Sequence, residues 1–115
     1  MGTTNLDTLS LADGLRMEVA TGIVAAGSNS QANSTALTSP VNIIATVSAT
    51  TRGVRLPTAT AGDILIVKNK SATGCNVYPA TGAAVNALSA NAAYDLAATT
   101  SVMFVAESAT LWHTV

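Results

Sequence analysis

The stretch TATAGDILIVKNKS, Thr58 to Ser71, decides how the rest of the chain is read. Ile64, Leu65, Ile66 and Val67 form four consecutive large apolar residues. Val and Ile are stiff, branched side chains that favour a pleated backbone. The Ala61-Gly62-Asp63 triplet before them predicts a tight turn, with Gly62 free to take positive φ. Lys68 and Lys70 after them read as strand-end solubilisation. A strand that is apolar on both sides needs a cover for each. One side belongs to the core, and the other belongs to a second layer or a sister subunit.

Working outward, β signals recur at about 8–12 residues, separated by Gly, Pro, Asn and Ser. GIVAAG is a short apolar run, and SNSQANST after it is loop. In VNIIATV, the residues Val41, Ile43, Ala45 and Val47 share one face at period two. In VRLP, Val54 and Leu56 point inward and Arg55 outward, and Pro57 ends the strand because it lacks a ladder donor. SVMFVAES is a second continuous apolar run, expected to pair with Ile64–Val67. The terminal LWHTV places Trp112 and His113 on opposite faces. No repeat of solenoid length stands out. The expected fold is all-β: an antiparallel β-sandwich or barrel of about 7–9 short strands over residues 22–115.

Residues 1–21 differ. They carry Leu6, Leu9, Leu11 and Leu15 with Asp7, Asp13 and Glu18. Leu11, Leu15 and Val19 have helical spacing, with Gly14 inside it at a cost of about 1 kcal/mol relative to alanine. Leu9 and Leu11 alternate as a strand would. The segment reads as an extended N-terminal arm ordered by a partner surface, and a further strand of the domain is the competing reading.

Composition narrows the function. Charged residues make up 10% and the net charge is −1, against roughly 25% charged residues in ordinary soluble proteins. No basic face for nucleic acid or anionic lipid can be assembled from so few cations. No apolar run approaches the roughly 18 residues that span a bilayer, and the first residues lack a secretory pattern. The hydrophobic fraction is 49%, yet much of it is alanine, so the core should be thin and association with other chains should complete it.

Chemical tools are sparse. The single histidine, His113, reads as a solvent-facing strand residue rather than a general base. One cysteine, Cys75, can make neither an internal disulfide nor a zinc site and reads as a small filler. The acids form no convincing carboxylate pair or calcium loop, and no phosphate-binding glycine loop occurs. No catalytic residue, cofactor or metal is expected. Tyr94 and Trp112 are the aromatics that could stack on a sugar, against the commoner role of core plug or interface anchor.

The segments GVRLPTATAGDILIVKNKS, NVYPATG, NAAYDLAATTSVMFVAES and LWHTV resemble a pattern found in small structural proteins of tailed bacteriophages. The matching positions are Leu56-Pro57, Ala61-Gly62-Asp63, Ile64 to Asn69, Val77-Tyr78-Pro79, Ala92 to Leu96, and Trp112. The resemblance covers residues 53–115 and is architectural. It implies a virion component without enzymatic activity: a capsid decoration (cement) protein on the outer surface of the head, homotrimeric, in contact with the major capsid protein. The arm, through Leu6, Leu9, Leu11 and Leu15, would then tie it to neighbouring capsid subunits. The alternative it implies is a head-fibre or tail-fibre module that binds a host receptor or glycan, with Tyr94 or Trp112 at the tip. Neither reading involves nucleic acid or membrane.

Overall fold

The computed structural model describes residues 16–115. Ten strands and no helix occur among them: β1 (Val19–Val24), β2 (Thr35–Ala36), β3 (Val41–Thr46), β4 (Gly53–Arg55), β5 (Ile64–Asn69), β6 (Cys75–Tyr78), β7 (Ala84–Val85), β8 (Tyr94–Leu96), β9 (Ser101–Ser108) and β10 (Leu111–Thr114). The fold is all-β, as the sequence predicts. The first strand crosses from residues read as arm into residues read as domain.

The strands form two sheets, one of six in the order β1-β3-β5-β9-β10-β7 and one of four in the order β2-β4-β6-β8. From β1 to β6 the chain alternates between them, each strand lying parallel to the one a full coil earlier. Val19 pairs with Val41 and Val41 with Ile66 in the large sheet, while Thr35 pairs with Val54 and Val54 with Val77 in the small one. This winding is solenoid-like. Two sheets share one core, as a sandwich would, but the expected all-antiparallel pairing is replaced by mixed sheets. Parallel neighbours need a crossover of a dozen residues or more, usually a helix. Here a strand of the opposite sheet serves as the crossover. A repeat of coil length therefore exists, hidden by corners that differ in length and residue type.

The end of the chain reverses direction. β8 pairs antiparallel with β6, β9 antiparallel with β5, and β10 antiparallel with β9. Ile64 faces Val105, and Ile66 faces Met103, so the two apolar runs pair as expected. The turn before β5 also forms: the Asp63 amide donates to the Thr60 carbonyl at 3.0 Å, and Gly62 takes φ 92°, in the range that the third position of a type II turn requires.

The core is one cluster fed by both sheets. Ile44, Leu65, Val67, Phe104 and Trp112 come from the large sheet and Val54, Cys75, Val77 and Leu96 from the small one. Phe104 packs edge-to-face against Tyr94 and Trp112, at centroid distances of 5.7 and 6.5 Å. Val54 of β4 and Leu56 just after it point inward, with Arg55 between them turned out. In β3 the buried residues are Asn42 and Ile44, whereas Val41 and Ile43 face outward. The period-two face read from Val41, Ile43 and Ala45 is thus the outer one. A polar residue is admitted inside because corner carbonyls need donors: the Asn42 amide donates to the Ser39 carbonyl at 2.7 Å.

Candidate functional site: the outer face of the large sheet

Alternation along each strand sends every second side chain out of the large sheet. Register then places the outward residues side by side. Val19, Val41, Ile66 and Met103 form one row across four strands. Val115 extends it, since its amide donates to the Met103 carbonyl at 2.9 Å. A second outward row joins Ile64 to Val105 and His113. Ile43 lies beside Lys68 on the other flank. Exposure reaches 51% at Val19, 44% at Ile64 and 78% at Val115, and Val41, Ile43, Ile66, Met103 and Val105 are half-buried.

The small sheet is different. Its outward positions include Arg55, Asn76 and Asp95, which is the usual polar-out pattern. The large sheet has aliphatic side chains on both faces, the pattern of a sheet covered on both sides. Among the described residues only the inner face is covered.

Charges on the outer face sit at its rims. The Lys68 amine donates to the Thr99 carbonyl at 2.7 Å. At the opposite rim His113 Nε2 and Glu107 Oε1 are 2.8 Å apart, both partly solvent-exposed. This pair links the neighbouring strands β9 and β10 at the surface. The arrangement can bury apolar area against another protein.

Other candidates are less developed. A groove of about 450 Å³ runs along one corner of the coils, lined by Leu37, Arg55, Leu56, Pro57 and Thr81 among others. Arg55 is its charged lining residue, and the guanidinium is committed to the Gln31 and Ala32 carbonyls at 2.8 and 3.2 Å. Cys75 is completely buried, and burial pushes its thiol pKa up to about 11, with Asp95 adding to the rise and a backbone hydrogen bond from Val54 opposing it. It is the filler the sequence suggested. Among the described residues no group of three His, Cys, Asp or Glu could hold a metal ion.

Of the residues singled out from sequence, Leu6, Leu9, Leu11 and Leu15 lie outside the described residues. Trp112 is completely buried, so it presents no ring face to a sugar. Tyr94 is half-buried and packs against the core through Phe104. The aliphatic rows went unread as a surface, because strand alternation alone does not say which strands are neighbours. The signal was the double-sided apolar run at Ile64–Val67. No protein-family model, curated protein or solved structure matches the chain.

Proposed function

We propose that this chain is a non-enzymatic structural protein of a tailed-phage virion, a decoration protein that stabilises the head by bridging capsid subunits on its outer surface as a homotrimer. The observation that carries the reading is the aliphatic outer face of the large sheet, running through Val19, Val41, Ile66 and Met103. A contiguous apolar patch rimmed by polar groups marks a protein contact. It agrees with the architectural resemblance of residues 53–115 to phage structural proteins. Leu6, Leu9, Leu11 and Leu15 are the proposed capsid-docking residues. The role needs no cofactor, and its partners are other copies of the chain and the major capsid protein.

The test is binding of the purified protein to undecorated heads of its own phage, followed by sedimentation. Saturable binding that raises the temperature of head disruption is expected. Removal of residues 1–15 should weaken that binding at least tenfold. A protein that leaves heads unbound and unstabilised ends this reading.

A further inference from the structure

We infer that the outer face of the six-stranded sheet is covered by another copy of this chain rather than by the capsid. The inference rests on the decoration reading only for the biological setting, and it puts a two-fold pair of copies on this face where that reading has a trimer.

Size is the first argument. Six strands at about 4.8 Å spacing span about 24 Å, and six-residue strands run about 20 Å, which gives a face of about 500 Å². Covering it on two copies buries about 1,000 Å², the lower bound for a biological contact.

Charge is the second. The central row from Val19 to Val115 holds no charged side chain; charge lies at the strand ends, with Lys68 and Lys70 at one and Glu107 beside His113 at the other. A face built for a differently charged partner would present charge of one sign to it. This one presents aliphatic rows between two charged, solvent-exposed rims, so like surfaces can meet while the charges stay at the edges.

Register is the third. A rotation axis parallel to the strands and lying over the β5–β9 boundary sets Ile66 against Met103 and Ile64 against Val105, residues already paired across that boundary within one chain. Val41 and Val115, the next members of the central row on either side, then meet each other. Lys68 falls opposite Ser101 at the rim. The two halves of the face are therefore of like chemistry about this axis, the condition for an isologous contact. The outward side of the small sheet, with Arg55, Asn76 and Asp95, offers no such surface.

The experiment is light scattering on the full chain across a micromolar concentration series. Wild type should have the mass of two copies. Ile66→Lys and Met103→Lys should shift it to monomer. Should either lysine variant fail to fold, Ile66→Thr with Val105→Thr keeps strand-forming side chains and should weaken association at least tenfold. Asn76→Lys, on the other sheet, should leave the mass unchanged. A wild-type monomer at all concentrations, or an oligomer indifferent to these face variants, overturns the inference. Oligomers that dissociate with the face variants but never bind heads would overturn the decoration reading and leave this one standing.

Discussion

Gly53 lies beneath the ring of Tyr78. A Cβ at position 53 would stand 2.9 Å from Tyr78 Cε2 and 2.8 Å from the Asn76 carbonyl oxygen. The ring can shift, but the backbone of the neighbouring strand is held by its ladder and cannot. Gly53→Ala should therefore cost about 1–3 kcal/mol of stability, the usual price of overpacking. Gly74 is the control, since a Cβ there meets nothing closer than 3.6 Å, and Gly74→Ala should change stability by no more than about 0.5 kcal/mol. Urea unfolding of both variants measures this, and equal midpoints would show that the contact at Gly53 is not tight.

Two buried asparagines should respond unequally to leucine. Asn69 is completely buried. Its amide donates to the Thr73 carbonyl at 2.8 Å, and its Oδ1 accepts from the Ser71 amide at 3.0 Å. Asn69→Leu strands both partners, at about 1–3 kcal/mol for each unsatisfied group. Asn42 uses its amide in the same way, but its Oδ1 has no partner among the described residues. Asn42→Leu removes one unsatisfied acceptor while losing the amide's bonds to the Ser39 and Ile66 carbonyls, at 2.7 and 3.3 Å, so it should destabilise less than Asn69→Leu. Thermal unfolding that ranks them the other way would refute the hydrogen-bond account of these corners.

These asparagines also show where sequence reading stops. Strand content, the turn at Gly62, the inward Val54 and Leu56, and the pairing of Ile64–Val67 with Val102–Val105 were legible, because each depends on local periodicity or turn chemistry. The parallel winding was not, because alternation reports a face and not a neighbour. Asn42 between Val41 and Ile43 makes the outer face of β3 look like the core face. Only register across β1, β3, β5 and β9 turns scattered aliphatic residues into a surface. Trp112 was one of two aromatics weighed for ligand contact, and its complete burial assigns it to the core.

The Cys75 thiol gives a pH-dependent prediction. Its pKa rises from 9.0 to about 11 because burial disfavours the thiolate. The native state therefore keeps its proton where the unfolded chain has lost it. The stabilising contribution is whole below about pH 9 and is lost as the pH rises toward 11, by at most about 3 kcal/mol. Cys75→Ala should flatten that alkaline limb of the stability profile while lowering stability near neutral pH through the smaller side chain. A thiol reagent at pH 8 should modify Cys75 only after denaturant unfolds the protein. Rapid labelling of native protein would show that the site opens.

Thr99 has φ of 61°, a left-handed conformation that a β-branched residue rarely adopts. The surroundings hold it there. Its amide donates to the Ser71 carbonyl at 3.1 Å, and its own carbonyl accepts from Lys68 Nζ at 2.7 Å. Both contacts use backbone atoms, so a residue at ease in this conformation keeps them. Strain of this kind costs about 1–3 kcal/mol. Thr99→Asn should recover about 1 kcal/mol, because asparagine tolerates the left-handed region. Thr99→Gly should recover less, since glycine also adds freedom to the unfolded chain. Thr99→Val keeps the branched strain and loses the hydroxyl that donates to the Ala98 carbonyl, so it should destabilise. The order Asn, Gly, Thr, Val in urea midpoint, with unchanged slope, is the expected result. Removing the amine with Lys68→Met should then cost more in the Thr99 parent than in Thr99→Asn, because the strained residue depends more on its strap.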